Sequence, residues 1–175
     1  SPNLLSAIDV MTLSYLFGFQ IYFDFAGYSH IAIGTALTMG IRLKENFNFP
    51  YHSTSPKFFW RKWHISLSSW VRDYIYLPLL NQKTFVSSEG GLTKNLHLSQ
   101  LKVYTIFVLF ITWSLMGLWH GASWNFVFWG IWNFILVFLF RIINKFFFFR
   151  ENKILKIVSW FISLQLIMIG WIFFR

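Results

Sequence analysis

His120 is the residue best suited to chemistry, because it is ionisable and lies between two long apolar segments. Ionisable side chains at membrane depth are costly and usually serve a function. Gly117 and Gly121 flank it four residues apart, a spacing that lets another helix or a substrate approach closely. Because imidazole titrates near neutral pH, His120 is predicted to act as a general base. The alternative is that a neutral ring bonds one backbone carbonyl and only helps the helices to pack.

His64 is the second candidate for a site residue. It lies one helical turn after Trp60, at the edge of an aromatic stripe. The stripe consists of Trp60, Trp63, Leu67, Trp70 and Tyr74. His64 is therefore either an interfacial side chain with a hydrated nitrogen or a second site group on the cytoplasmic route of a substrate.

A structural role explains Asp24 more readily than a functional one. It is expected to pair with one of three arginines, Arg42, Arg61 or Arg72. Asp24 and His30 are six residues apart and do not share one helical face, and a zinc site needs more ligands than these two. No metal site is predicted.

Two further pairs of polar residues are expected to stabilise the fold. Arg72 and Asp73 are neighbours and are suited to an interfacial ion pair. Asn125 and Asn133 are expected to link helices through their amides, with contact to a substrate as the alternative.

The composition indicates a membrane protein. Of 175 residues, 56% are hydrophobic and 12% are charged, and 23 Phe and 10 Trp bring the aromatic share to 23%. A soluble core of this size cannot bury so much apolar surface. The 15 Lys and Arg outnumber the 6 Asp and Glu, but they cluster between apolar segments, which is typical of orientation charge and lipid contact rather than nucleic-acid binding. The chain has no cysteine, which excludes a cysteine-bound acyl intermediate.

The sequence divides into an apolar block, a basic region and three apolar segments. The block at 4–41 is too long for one ordinary span, and its polar residues predict a break near 24–27. Two helices, or one crossing followed by a shorter buried helix, are both compatible with this pattern. The region at 42–102 is predicted to be interfacial. The predicted spans are about 103–119, 122–140 and 154–174.

Within the basic region, Ser55 and Pro56 form a typical helix start, with serine as the cap and proline in the first turn. The aromatic stripe beside basic residues predicts an interfacial helix over 56–74, which Pro78 should end. Glycines and serines at 81–100 indicate a flexible loop.

Basic residues lie on both sides of the pair of spans at 103–140. The positive-inside rule therefore predicts a hairpin with both basic ends in the cytoplasm and His120 at its far end. The chain opens at Ser1 without an initiator methionine, and it is expected to be a segment of a larger protein.

Three segments carry a family resemblance: QIYFDFAGYSHIAIG, ENFNFPYHSTSPKFFWRKWHISLSSWVRDYIYLPL and MGLWHGASWNFVFWG. Together they resemble the membrane-bound O-acyltransferase family, with the bacterial alginate O-acetyltransferases as the nearest likeness, over nearly all of 19–175. The resemblance implies an all-α, polytopic transmembrane fold with interfacial or re-entrant helices. Residues 1–175 would form part of one catalytic domain of a multi-pass protein in the bacterial cytoplasmic membrane.

The resemblance also implies an activity, namely transfer of an acyl group, usually acetyl, from a cytoplasmic thioester to a hydroxyl of an exported polysaccharide or envelope polymer. His120 matches the histidine that the family regards as catalytic, and His64 matches a second histidine in a Trp-His-x-Ser motif. The predicted substrate-binding residues are Arg61, Arg72, Asp73, Trp119 and Asn125.

The expected donor is acetyl-coenzyme A or an acyl-carrier thioester, which acts as a co-substrate, and no tightly bound cofactor is expected. Arg61, Lys62 and Arg72 suit its phosphate groups, with contact to anionic lipid as the alternative. The other expected partners are membrane lipids, the polymer and an extracytoplasmic acetyltransferase. The competing hypothesis is a transporter or export channel without transferase chemistry, for which inverted repeats would be typical.

Overall fold

The computed structural model describes residues 6–81, 98–146 and 152–174, and all regular structure within these ranges is helical. The helices are α1 (Ala7–Thr38), α2 (Pro56–Trp60), α3 (Ile65–Val71), α4 (Leu77–Asn81), α5 (Leu98–His120), α6 (Trp124–Phe146) and α7 (Lys153–Phe174). A 3₁₀ turn at Pro50–His52 precedes α2, and a π turn at Arg72–Tyr76 joins α3 to α4. The all-α prediction is confirmed.

Within the described ranges, three helices are long and apolar enough to cross a bilayer: Val103–His120, Trp124–Ile143 and Lys153–Phe174. At about 1.5 Å per residue their lengths match a hydrocarbon core of about 30 Å. Only 22% to 33% of each stretch is buried within the chain, so most of its apolar surface faces outward, as lipid contact requires. The predicted loop at 81–100 falls mostly outside the described residues, although α5 already begins at Leu98.

Helix α1 is continuous, so the predicted break near 24–27 is wrong. Its N-terminus is closed by a capping box, in which Ser6 and Asp9 each accept a hydrogen bond from the other's backbone N–H. The helix needs no break at Asp24, because this side chain lies on an exposed face while Ala26 faces the core. No arginine within the described ranges forms an ion pair with Asp24, so the predicted pairing is also wrong.

The predicted helix over 56–74 begins as expected but is divided. Ser55 caps α2 by accepting a hydrogen bond from a backbone N–H in the first turn, and Pro56 is the first helical residue. The chain then turns through 61–64 before α3 begins. His64 therefore lies at a break between two short helices, where its backbone is not constrained to the α conformation.

Pro78 does not end the helix, contrary to the prediction. It follows the π turn, in which the backbone N–H of Leu77 donates to the carbonyl of Arg72 five residues earlier. Proline has no N–H to donate, and its ring needs space beside the carbonyl four residues back. A widened turn supplies that space, so the helix continues to Asn81.

Helices α5 and α6 form the predicted hairpin, joined by a short turn at 121–123. Gly117 and Gly130 face each other where the helices pack. A Cβ atom on Gly117 would lie 2.3 Å from the carbonyl oxygen of Phe126, and one on Gly130 would lie 2.5 Å from that of Trp113. Only glycine permits so close an approach.

The hairpin predicts that the segments before α5 and after α6 lie on the same side of the membrane, which can be tested. Single cysteines replacing Ser88 and Asn152, in a cysteine-free background, should both resist an impermeant thiol reagent in intact cells and react after permeabilisation, because basic flanks are retained in the cytoplasm. The measurement is thiol labelling detected on a gel. Labelling of only one position in intact cells would contradict a simple hairpin.

An aromatic cluster joins the short helices to the membrane-length ones, and Asn133 lies within it. The indole N–H of Trp60 donates to Asn133 Oδ1 at 3.1 Å, and Asn133 Nδ2 donates to the carbonyl of Trp129 at 2.9 Å. Asn133 is only 5% exposed, so these bonds satisfy an amide that would be costly to bury unpaired. Its predicted role as a link between helices is confirmed.

Candidate functional site

His64 and His120 line the same small cavity. The cavity has a volume of about 100 Å³ and is enclosed by side chains from α1, α2, α3, α5, α6 and α7. Among the described residues that line it, the two imidazoles are the only ionisable groups, and the others are aromatic or aliphatic. Ionisable groups that converge in an apolar cavity are typical of an active site.

His120 is the last residue of α5, and aromatic rings from three helices surround its imidazole. The ring centroids lie 4.7 Å from Trp119, 5.0 Å from Trp129 and 4.9 Å from Phe174, all in edge-to-face geometry. Neither ring nitrogen bonds to another group in the part of the chain that the structure describes. Packing therefore orients the imidazole and leaves its nitrogens available to a substrate.

His64 adopts an unusual backbone conformation between α2 and α3. Its φ of 44° and ψ of 57° lie in the left-handed region, which costs a non-glycine residue on the order of 1 kcal/mol and is concentrated at functional sites. The next residue is held by a hydrogen bond of 2.9 Å from Ile65 N to the carbonyl of Asn46. The ring of Phe25 packs edge-to-face on the imidazole, with centroids 4.6 Å apart.

Burial, together with the charge of the neighbouring His120, lowers the pKa of His64 to about 4. His64 is therefore neutral at pH 7. Because a histidine in an unfolded chain has a pKa near 6.5, the stability that this group contributes is complete above about pH 6.5 and is lost as the pH falls towards 4. A neutral imidazole carries one N–H donor and one acceptor, so its tautomer decides which group faces the cavity.

A larger cavity of about 590 Å³ adjoins the histidine cavity. Trp60 and Met116 line both cavities and so form the partition between them. Three cationic side chains, Lys57, Arg61 and Arg72, line the larger cavity. The structure thus brings two of the predicted substrate-binding residues to one cavity, next to the two histidines.

Asp73, Trp119 and Asn125, the other predicted substrate-binding residues, line neither cavity. Asp73 forms an exposed, bidentate ion pair with Arg72, in which Nε donates to Oδ1 at 2.7 Å. Trp119 is 62% exposed and contacts the imidazole of His120 from outside the cavity. Asn125 is exposed and bonds to no other described residue, so its predicted role as a helix link is wrong.

Asn46 is a site residue that sequence reasoning missed. Its Oδ1 lies 3.1 Å from Nδ1 of His64 and also accepts a hydrogen bond from the backbone N–H of Ser66 at 3.2 Å. No helical or strand period relates a residue before the 3₁₀ turn to one after α2. Only its place in the segment ENFNFPY, which contributes to the family resemblance, could have drawn attention to it.

No three His, Asp or Glu side chains come together as a metal site in the described ranges.

Several known proteins are similar to this chain in sequence. The sequence profile described as MBOAT, membrane-bound O-acyltransferase family, matches residues 6–90. The chain is 42% identical over 156 residues to the Pseudomonas aeruginosa protein named probable alginate O-acetylase AlgI, a match that covers 89% of this chain and 26% of that protein. It is 37% identical over 175 residues to a peptidoglycan O-acetyltransferase of Helicobacter pylori, covering 98% of this chain and 29% of the relative.

A teichoic acid D-alanyltransferase of Bacillus subtilis is 33% identical over 135 residues, covering 76% of this chain and 32% of the relative. The chain thus spans between 26% and 32% of the length of these three proteins. The profile match and the three relatives agree with the resemblance carried by the sequence motifs and with the helices of membrane-spanning length. The chain belongs to the membrane-bound O-acyltransferase family.

Proposed function

We propose that the chain is the catalytic part of a membrane enzyme that transfers a small acyl group from a thioester to a hydroxyl of an exported polymer. The observation that carries this proposal is the convergence of His64 and His120 on a cavity beside a larger, cation-lined one. The names of the relatives, O-acetylase, O-acetyltransferase and D-alanyltransferase, support the same class of reaction.

The proposed chemistry is direct transfer between two bound substrates. The acceptor hydroxyl is a poor nucleophile at neutral pH, so His120 removes its proton as the oxygen attacks the thioester carbonyl carbon. A carbon–oxygen bond forms, the carbon–sulfur bond breaks, and the thiolate leaves as a thiol after taking the proton from His120. General-base catalysis of this kind supplies about 10²–10⁴-fold, and the orientation of the two substrates supplies more.

The size of the histidine cavity favours a short acyl group. Its volume of about 100 Å³ is smaller than the cavity of ~150 Å³ that holds benzene in another protein. An acetyl group fits within such a volume, whereas a long acyl chain does not. The acyl group is therefore proposed to be acetyl or one of similar size.

Arg61 and Arg72 are proposed to bind the phosphate groups of the donor, acetyl-coenzyme A or a carrier's phosphopantetheine thioester. Arg61→Gln and Arg72→Gln should each raise the donor KM about 3- to 10-fold, because both side chains are exposed and an exposed charge contact contributes only modestly to binding. The measurement is the initial rate of the full-length protein at varied donor and fixed, saturating acceptor.

Lys62 provides a matched control for this experiment, because it is adjacent to Arg61 but does not line the larger cavity. Lys62→Gln should leave the donor KM unchanged. If Arg61→Gln and Arg72→Gln also leave it unchanged and only lower the yield of folded protein, these arginines contact anionic lipid, and the donor binds elsewhere.

The acceptor is proposed to be a polysaccharide or another polymer of the cell envelope, reached directly or through an extracytoplasmic acetyltransferase partner. The three relatives come from bacteria, which supports the bacterial cytoplasmic membrane as the location. The donor then approaches from the cytoplasm, on the side predicted for the basic segments.

The test of this function is reconstitution of the full-length protein in vesicles with a labelled acyl thioester and the purified polymer. The expected result is a base-labile ester on the polymer and an equal amount of free thiol. A transporter or export channel would move polymer across the membrane without releasing thiol, and that outcome would contradict the proposal.

A further inference from the structure

We propose that Asn46 is a positioning residue, which fixes the tautomer and ring orientation of His64 so that Nε2 presents its lone pair to the histidine cavity. The catalytic consequence rests on the proposed function, whereas the hydrogen-bond arrangement stands on geometry alone. Asn46 touches neither the cavity nor any proposed substrate position, so it acts through His64.

The orientation of the Asn46 amide is determined by a donor that cannot change its role. The backbone N–H of Ser66 lies 3.2 Å from Oδ1, and a backbone N–H can only donate, so the oxygen must point towards it. On the other side, Nδ2 donates to the hydroxyl of Ser29 on α1 at 3.3 Å. An amide flipped by 180° would place Nδ2 against this N–H and lose that bond, whereas the Ser29 hydroxyl could donate or accept in either orientation.

The oriented amide then determines the tautomer of His64. Oδ1 of Asn46 is an acceptor 3.1 Å from Nδ1, and two acceptors repel each other unless one carries a proton. Nδ1 is therefore the protonated nitrogen and donates to Oδ1. Because His64 is neutral, Nε2 on the opposite edge of the ring keeps its lone pair.

Asn46 also holds the backbone that carries this ring. Its carbonyl accepts a hydrogen bond from Ile65 N at 2.9 Å, and the backbone N–H of Asn48 donates to the carbonyl of Lys62 at 3.0 Å. These two bonds bracket the left-handed residue His64, so the segment at 46–48 stabilises a conformation that the chain would otherwise avoid.

The tautomer of His64 affects how the hydroxyl of the acceptor substrate interacts with the two histidines. With Nε2 unprotonated, His64 can accept a hydrogen bond in the cavity that it shares with His120. With the opposite tautomer, an N–H would face the cavity and would compete with the substrate hydroxyl for the lone pair of His120. Residues that orient metal-bound histidines typically affect activity 10- to 100-fold, and we expect an effect of the same order here.

The test compares three variants of the full-length protein. Asn46→Leu removes the Oδ1 acceptor and leaves Nδ1 of His64 only the Ser66 hydroxyl, 3.4 Å away and able to donate or accept, so it should lower kcat about 10–100-fold while the donor KM stays the same. Asn46→Asp keeps an acceptor for Nδ1–H and should retain most of the activity. The control, Asn48→Leu, changes an exposed side chain in the same segment, keeps its backbone bond to Lys62, and should leave kcat unchanged.

The pH dependence of kcat distinguishes a positioning role of Asn46 from a purely structural role, which would leave it unchanged. A carboxylate beside the imidazole favours its protonated form, so the acidic limb of kcat in Asn46→Asp should shift to higher pH. An unchanged limb, or a wild-type kcat in Asn46→Leu, would overturn the proposal. If Asn46→Leu does not fold, the Asn46→Asp profile decides.

A spectroscopic measurement tests the role of Asn46 independently of the proposed acyltransferase function. Solid-state ¹⁵N spectra of the wild type, with the His64 signals assigned by their loss in His64→Gln, should show protonated Nδ1 and unprotonated Nε2. The opposite tautomer would overturn the role of Asn46 even in an active enzyme. If the wild type forms no polymer ester, the proposed function fails, but the tautomer still reports on Asn46.

Discussion

Replacing His120 by alanine or glutamine in the full-length protein is expected to lower acyl transfer about 10²–10⁴-fold, the usual effect of a general base. The imidazole has no hydrogen-bond partner among the described residues, so its loss breaks no polar network in them. Its ring is only partly buried, and glutamine keeps a comparable volume. The yield of folded protein should therefore change little. The measurement is the amount of acyl ester on the exported polymer, normalised to the amount of protein.

His30 supplies a matched control, because it is an exposed histidine on α1 whose Nδ1 lies 4.0 Å from the carboxylate of Glu45. His30→Gln removes an imidazole that lines neither cavity and should retain normal transfer. Normal acylation by His120→Ala or His120→Gln would show that His120 is not the general base. Equal loss of activity in His30→Gln would indicate a general effect of histidine substitution on the fold.

Sequence patterns predicted the parts of the fold that depend on local physics. Apolar length determines which helices can cross the bilayer, and the ends of α5, α6 and α7 lie within six residues of the predicted ones. The cap at Ser55 depends on its hydroxyl and on Pro56 next to it, and both are visible in the sequence.

Patterns failed where distant contacts decide the conformation. The turn at 61–64 interrupts the aromatic stripe, with tryptophans on either side. A helical wheel cannot show that Trp60 donates a hydrogen bond to Asn133 on α6, or that His64 points towards α5. The predicted break in α1 rested on the length of the apolar block and on its polar residues, but a continuous helix accommodates Asp24 on an exposed face.

The candidate site was also predictable only in part from the sequence. Each histidine could be identified by its type and by a family motif, but nothing in the spacing indicates that the two share a cavity. The partition formed by Trp60 and Met116 joins residues from α2 and α5 and is visible only in three dimensions. Asn46 was missed for the same reason, since its contacts with His64 depend on tertiary folding.

Gly117→Ala is expected to destabilise the α5–α6 hairpin by about 1–3 kcal/mol or more, the range typical of overpacking. The added Cβ would lie 2.3 Å from the carbonyl oxygen of Phe126 and 3.4 Å from the Cα of Gly130. Both contacts are with backbone atoms, so no change of rotamer relieves the clash, and the helices must separate. Because α5 ends at His120, separation also moves the imidazole relative to Trp129, and transfer should fall together with stability.

Gly27 on α1 is the matched control, because a Cβ atom placed there meets no described atom within 4 Å beyond its chain neighbours and the nearby backbone of its own helix. Gly27→Ala replaces a poor helix former with the best one and should leave stability unchanged or raise it by up to about 1 kcal/mol. The measurement is the midpoint of thermal unfolding in detergent, recorded for both variants beside the wild type. Gly130→Ala should match Gly117→Ala, since its Cβ would lie 2.5 Å from the carbonyl oxygen of Trp113. A wild-type midpoint for either of these two variants would show that the helices lie further apart than this, and that His120 is positioned by other contacts.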